Sequence, residues 1–216
     1  MSTVPANSVG DAWADARRLE EWAGEARVNL VRVAAILAFY AHHLLNVYVF
    51  RDDPTVVGPF HVATTTLTVA WAILAFAVYY LLSQRQVWPG LKYAATAGDL
   101  ALLTLLVAVA GGVQSPLVVL YFLVIAAAAL RLSLPLVYAA TLGSIACYLF
   151  LLGAYAWLQV GWEEYYSNPV VRIPRTQQII FVLGLATAGF LAGQTVRQAR
   201  RLVHGYPVRA PTSRED

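Results

Sequence analysis

The feature that most constrains this chain is a series of six apolar stretches that together occupy most of its length. A helix rises about 1.5 Å per residue, so about 20 residues cross the roughly 30 Å hydrocarbon core of a bilayer. The fourth stretch is short and the fifth is long, but all six are in the range of a membrane span. They predict transmembrane helices at about residues 30–50, 62–82, 93–110, 116–132, 135–160 and 179–199.

The composition suits lipid better than water as the surrounding solvent. Hydrophobic residues make up 59% of the chain and charged residues 12%, and the mean hydropathy is +0.61. Soluble domains carry about 25% charged residues. In lipid every backbone polar group has to be paired inside the protein, and a helix does this within its own segment. We therefore expect an all-α integral membrane protein built as a six-transmembrane-helix bundle.

Charge and cysteine content exclude several classes of function. The net charge of +3 is small, and the basic residues lie at the ends of apolar stretches, so no nucleic-acid-binding patch is expected. Cys147 is the single cysteine, which excludes an internal disulfide and a cysteine metal cluster. The sequence contains no nucleophile–base pair and no metal-ligand spacing, so we expect neither an enzyme nor a metal site.

The basic residues also predict the orientation, because cytoplasmic loops of membrane proteins carry an excess of lysine and arginine. With a cytoplasmic N-terminus, only Arg51, Arg172 and Arg175 lie outside. We expect a multi-pass protein of the bacterial inner membrane with both termini cytoplasmic. Residues 1–28 form a cytoplasmic or interfacial polar helix, 29–204 the membrane domain and 205–216 a disordered tail. The inner residues are Arg17, Arg18, Arg27, Arg32, Arg85, Lys92, Arg131, Arg197, Arg200, Arg201, Arg209 and Arg214.

Asp99 is the first candidate for a functional residue, because charged side chains inside spans are rare and usually face the bundle interior. It lies about two turns, or ~10 Å, inside the third span. Arg131 at the end of the fourth span is the predicted partner, with Lys92 as an alternative and Thr96 one turn away. The aspartate either orients the helices as part of a structural ion pair, or takes part in sensing, coupling or proton transfer.

Histidines near the outer end of the first span are the second candidate. His42 and Asn46 share a helix face at i and i+4, whereas the adjacent His43 points about 100° away. His61 is predicted just before the second span. Hydrogen bonds within the bundle explain this pattern, and a small-molecule, quinone or proton site is an alternative. A haem b held by His61 and either His42 or His43 is a further alternative, although His43 is expected about 10 Å deep and His61 near the surface.

The residues Gly111, Gly112, Ser115 and Pro116 predict a tight outer turn between the third and fourth spans. Glycine commonly ends a helix, serine caps the next one, and proline suits the first helical turn. By these preferences alone the segment is a hairpin connection between two spans.

Small residues form a strip along the sixth span, in which Gly189 and Gly193 have GxxxG spacing. Small residues let helices approach closely in membranes. Two interpretations remain open, namely tight packing inside one bundle and self-association of two chains.

Several of these residues together resemble the multi-span N-terminal membrane domains of bacterial sensor histidine kinases, diguanylate cyclases and related signalling proteins. The resemblance covers mainly residues 99–151 and implies a dimeric sensing module that passes a membrane signal to a cytoplasmic output. It is carried by Asp99, Gly111, Gly112, Ser115, Pro116, Leu120, Tyr121, Phe122, Arg131 and Leu132.

The chain departs from that pattern at its C-terminal end. Residues 196–204 begin a helical extension, but Gly205 and Pro207 are expected to stop it, and no kinase or cyclase motif follows. We therefore predict a non-catalytic sensor-like membrane domain or regulatory subunit that couples to a separate cytoplasmic partner. The lipid bilayer and a homodimer or protein partner are the expected interactions, and no cofactor is expected. The alternative is an accessory subunit of a membrane complex that binds haem or quinone near the outer face.

Overall fold

The computed structural model describes residues 6–50, 54–84, 90–167 and 173–205, and these ranges are helical apart from short turns. Two of the basic residues assigned to the outer side, Arg51 and Arg172, and the predicted tail from residue 206 onward lie outside the described residues. The helices are α1 (Ala6–Leu45), α2 (Pro54–Ser83), α3 (Leu91–Val109), α4 (Leu120–Leu130), α5 (Leu134–Ala154), α6 (Trp162–Ser167) and α7 (Arg175–Gly205).

Within the described residues, five helical segments are long and apolar enough to cross a membrane, and a shorter apolar segment lies at Pro116–Leu130. Two of the six segments continue beyond an α-helix into a π-helical turn, at Asn46–Phe50 after α1 and at Tyr155–Val160 after α5. The predicted class, an all-α membrane bundle, is therefore confirmed. The five long segments are Trp22–Val49, Phe60–Ser83, Leu91–Val109, Leu134–Leu158 and Arg175–Leu202.

The first span differs most from the sequence expectation. The polar N-terminal segment and the first span form one continuous helix, Ala6–Leu45, instead of two separate elements. Glu25 and Arg32, which lie near the junction of these two segments, are buried inside the bundle instead of marking its edge. Trp22 joins this part of α1 to α2 by donating a hydrogen bond from Nε1 to the carbonyl of Leu82, 3.1 Å away, in the last turn of α2.

The helices pack around α5, which contacts α3, α4 and α7, while α2 lies between α1 and α3. Fully buried side chains from α3, α4 and α7 form the centre of the core, among them Leu103, Tyr121 and Leu185. The Tyr121 hydroxyl lies 3.0 Å from that of Thr104, so the one polar atom of this side chain is satisfied. In contrast, α1 packs mainly on α2 and has little contact with α4. This leaves an incompletely filled seam between α1 and α4.

The glycines of α7 let it lie close to its neighbours within the same chain. A β-carbon at Gly189 would collide with the side chain of Thr141 on α5, and one at Gly193 would meet Leu134 and Tyr138. The predicted small-residue strip therefore packs against α5 in this bundle, which corresponds to the first of its two interpretations.

We expect Gly189→Ala to destabilise the fold by about 1–3 kcal/mol, because the added methyl group overpacks the contact with Thr141. Gly153→Ala is the matched control, since a β-carbon at Gly153 on α5 meets nothing within 4 Å. That control should be neutral or stabilise the helix by up to about 1 kcal/mol. Reversible unfolding in detergent measures both, and equal stabilities for the two variants would contradict this packing.

Candidate functional site

Three polar side chains on α1 line one face of that helix at positions i, i+4 and i+7. They are Glu25, Asn29 and Arg32, and all three are buried. Residues at this spacing lie above one another along a helix. This face points at α3 and α4, so α1 joins the bundle through polar contacts at depths where the neighbouring helices are apolar.

The deeper of the two ion pairs joins Arg32 to Asp99 through two hydrogen bonds. Arg32 Nε lies 2.7 Å from Asp99 Oδ1, and Nη2 lies 2.7 Å from Oδ2. Trp71 on α2 donates a further hydrogen bond to Oδ1 at 2.9 Å. Asn29 accepts from Arg32 Nη1 at 2.6 Å and donates to the carbonyl of Ala75 at 3.2 Å. One cluster thus ties α1, α2 and α3 together.

The second ion pair corrects the partner expected for Asp99. Arg131 contacts Glu25, with Nε and Nη2 at 2.8 and 3.0 Å from its carboxylate oxygens, and donates from Nη1 to Thr96 at 2.6 Å. The predicted Arg131–Asp99 pair is wrong because Thr96, one turn before Asp99 on α3, lies at the level of Arg131. Lys92, the alternative partner, places its Nζ 5.9 Å from the Tyr93 ring centroid.

Burial makes these two pairs strict constraints on the fold. The side chains of Arg32, Asp99, Arg131 and Glu25 expose 4%, 13%, 3% and 4% of their surface. An unpaired charge in such surroundings is strongly unfavourable, whereas a paired and hydrogen-bonded one is tolerated. We call these two pairs, Arg32–Asp99 and Glu25–Arg131, the ladder. Each pair is neutral overall, so the ladder is stable only when α1, α3 and α4 hold this register.

The ladder continues to α7 through the short turn between α4 and α5. The carbonyl of Leu132 accepts a hydrogen bond from Arg200 Nε at 2.9 Å, and Arg197 donates to the Tyr138 hydroxyl at 3.0 Å. Leu132 has a φ of 50°, a left-handed conformation that is uncommon for leucine. The residue next to Arg131 therefore touches the C-terminal part of α7 directly.

A cavity of about 330 Å³ lies along the seam between α1 and α4. Arg32, Asp99 and Trp71 form its deep end. Phe39 on α1 and Leu123 on α4 line it while remaining 41% and 39% exposed, so the cavity opens sideways toward the outside of the bundle. Its volume is at the lower end of the range for small-ligand pockets, about 300–1,000 Å³.

The other end of the cavity is lined by His42, His43 and Asn46. His43 Nε2 and His61 Nδ1 are 3.0 Å apart and their rings stack, so the two histidines lie at the same depth. The expected difference in depth is wrong, because α2 begins at Pro54 and His61 lies about two turns inside it. The contact is a direct hydrogen bond, and a haem iron between these nitrogens would require the rings to separate.

The turn between α3 and α4 closes the same end of the cavity. Gly111 and Gly112 have φ values of 100° and 65°, which favour glycine. Ser115 accepts a hydrogen bond from the Leu117 N–H at 3.2 Å, and Pro116 occupies the first helical turn. Ser115 and Pro116 also line the cavity, so the turn and the histidines, which the sequence presents as separate features, belong to one site.

Sequence reasoning missed four residues of this site, namely Arg32, Glu25, Asn29 and Trp71. Arg32 was assigned to the cytoplasmic edge on its charge alone. The i, i+4, i+7 spacing of Glu25, Asn29 and Arg32 was the available signal, because such a polar face on a membrane helix requires buried partners.

Removal of one partner of the deeper pair should be far more damaging than removal of both. Asp99→Leu strands the Arg32 charge and is expected to lower the free energy of unfolding by about 3–5 kcal/mol. The double variant Arg32→Met with Asp99→Leu should regain most of that loss. Unfolding measurements on both single variants and the double variant give the coupling directly.

Arg27→Met serves as the control for Arg32→Met, since Arg27 is an exposed arginine on the same helix. A surface substitution of this kind changes stability by about 0.5 kcal/mol or less. Similar effects for Arg27→Met and Arg32→Met, or additive effects of the Arg32 and Asp99 changes, would exclude the ion pair as a structural constraint.

Comparison with known families agrees with this architecture. A family model described as the PilS-like transmembrane domain, a six-transmembrane (6TM) domain, matches residues 19–201, and PilS is a histidine kinase sensor. No curated protein and no solved structure matches the chain significantly. The match begins just before Trp22 and ends at Arg201, so it spans the whole bundle, including both ion pairs. The chain belongs to the family of PilS-like six-span transmembrane domains.

Proposed function

We propose that this chain is a non-catalytic sensor domain that couples an event in the membrane to a separate cytoplasmic partner. The observation that carries the proposal is a chain of polar contacts: the two buried ion pairs lead from the cavity at Asp99 to Arg131, and the adjacent Leu132 accepts an exposed hydrogen bond from Arg200 on α7. Membership of a sensor-type family supports the same role. The resemblance of residues 99–151 to the membrane domains of diguanylate cyclases supports the proposal in the same way.

The coupling route consists of contacts between neighbouring residues. A ligand or a neighbouring helix that displaces Arg32 at the cavity strains its pair with Asp99, and α3 carries this strain one turn to Thr96. Thr96 holds Arg131, whose neighbour Leu132 accepts the bond from Arg200. Packed helix interfaces switch between discrete arrangements rather than deform continuously, which suits a signal.

The proposed role requires α7 to end in the cytoplasm, and the distribution of basic residues supports that orientation. In a Cys147→Ser background, Gln84→Cys lies at the end of the bundle that carries Arg131, and Glu164→Cys lies at the opposite end. The variants are expressed in a bacterial host that inserts the protein into its inner membrane. We expect an impermeant maleimide to label Glu164→Cys in intact cells and to label Gln84→Cys only after the inner membrane is permeabilised. The reverse pattern would place both termini outside and contradict the proposed coupling.

The partner itself can be identified with a photo-crosslinking residue at Leu202. Leu202 on the α7 extension and Leu142 on the membrane-facing side of α5 are both 67% exposed, so they form a matched pair. In native membranes we expect position 202, and not position 142, to give an adduct with a protein that carries a kinase, cyclase or response-regulator domain. An adduct at position 202 that contains a second copy of this chain would support a homodimer in addition to the partner.

The same experiment tests whether Asp99 takes part in coupling. Asp99→Asn keeps the shape of the side chain and removes its charge, so some stability is lost. If the chain folds and the adduct at position 202 weakens several-fold, Asp99 has a role beyond folding. Adducts with respiratory or transport subunits would instead support the accessory-subunit alternative and contradict the sensor role.

A further inference from the structure

The cavity between α1 and α4 changes from polar to apolar along its length. At one end Thr64, His42, His43 and Asn46 present polar atoms, and the middle is apolar, with residues such as Ile36 and Leu103. About eleven residues separate Arg32 from His43 on α1, which corresponds to ~16 Å. The polar groups that are not ion-paired are therefore concentrated near the end of the bundle. This distribution matches that of a lipid, whose head group lies at the membrane surface and whose chain lies deeper.

One buried hydroxyl at the polar end has no hydrogen-bond partner among the described residues. Thr64 lines the cavity and is 7% exposed, and its Oγ1 makes no hydrogen bond to any described residue. The neighbouring threonines of α2 behave differently, since Thr66 and Thr68 donate to the carbonyls of Val62 and Thr64 at 2.8 Å. An unsatisfied hydroxyl in such a position is costly and is expected to have a ligand that completes it.

The charges around the cavity restrict what that ligand can be. Arg32 and Asp99 neutralise each other at the deep end and already use their hydrogen bonds on each other, Asn29 and Trp71. In the hydrogen bond between His43 and His61 one ring nitrogen accepts, so at least one of the two rings is neutral. The described lining thus offers no unpaired arginine or lysine for a phosphate or carboxylate, and no unpaired carboxylate for an amine.

We propose that this cavity binds an uncharged, long-chain amphiphile whose head group carries a hydroxyl or carbonyl oxygen. The head group hydrogen-bonds to Thr64 beside Asn46 and the histidines, and the chain extends along the apolar wall toward Arg32 and Asp99. Entry is sideways, between Phe39 and Leu123. This inference rests on the proposed function for its biological meaning, since it names the class of molecule that would act on the ladder.

The test uses three photoactivatable probes of equal length in phosphatidylcholine nanodiscs that contain the full chain. They are a diazirine-bearing long-chain alcohol, the corresponding carboxylate and the corresponding hydrocarbon. We expect the alcohol to label residues of α1 and α4 that line the cavity at lower concentration than the other two, and unlabelled alcohol to compete. Equal labelling by the alcohol and the hydrocarbon, or preference for the carboxylate, would overturn the proposal.

Two variants assign the labelling to this site. Thr64→Val keeps the side-chain shape and removes the hydroxyl, so labelling by the alcohol should fall about threefold to tenfold, as expected for one lost hydrogen bond. Its ligand-free thermal stability should be unchanged or higher, because the unpaired hydroxyl is removed. Thr66→Val, on an exposed face of the same helix, should leave labelling unchanged. Equal effects of the two variants would refute the site.

A bulky variant provides a second, independent criterion. Ala127→Phe on α4 fills the cavity with a side chain and should reduce labelling by the alcohol at least several-fold. Labelling that persists in a folded Ala127→Phe protein would also refute the site. These binding measurements do not involve the cytoplasmic partner, so their outcome is separate from that of the crosslinking at Leu202.

Discussion

The pair formed by Arg32 and Asp99 is the interaction on which the rest of the structure depends. Both charges lie where water is scarce, and each is acceptable there only because the other neutralises it. Trp71 and Asn29 complete their hydrogen bonds, so the contact fixes the rotation of α1 and α2 relative to α3. A helix that turned by one residue would remove Arg32 from Asp99 and expose both charges to apolar surroundings. The position of the cavity follows from this register.

The fold was largely predictable from the sequence, whereas the pairing inside it was not. A membrane span is a local property of about 20 consecutive residues, so hydropathy finds it without knowledge of neighbours. The partner of a buried charge depends on which helices are adjacent and at what depth. Asp99 was identified because it lies in an apolar stretch, but Arg32 lies close enough to the charged N-terminal segment to resemble an ordinary anchor. The short α4 explains why Arg131 is buried, since a helix that ends early places the arginine at its end inside the bundle.

The histidines and the glycine turn show the same limit in a different form. Each motif was recognised from local chemistry, and each had a sufficient local explanation in hydrogen bonding or turn geometry. Their proximity depends on the bundle, because α1, α2 and the start of α4 meet at one end. The estimate of depth for His61 failed for a physical reason as well. The residues before the second span, among them Pro54, Gly58 and Pro59, continue its helix as far back as Pro54, so the sequence pattern underestimates the length of α2.

The contrast between the two sides of the bundle explains how such a domain could respond to a small event. On one side α7 is packed on α5 through Gly189 and Gly193, and close contacts of this kind make neighbouring helices move together. On the other side α1 meets α4 across a cavity and is joined to it through Glu25 and Arg131. A directional ion pair keeps one geometry and breaks once its two groups are displaced. An interdigitated apolar interface instead resists displacement of the two helices. Under the proposed coupling, relative movement is concentrated at the α1–α4 seam, and the turn at Leu132 passes it to α7. In the proposed sensor, the occupied cavity and the cytoplasmic helix would be linked by a shift of two rigid groups of helices rather than by a change within any one of them.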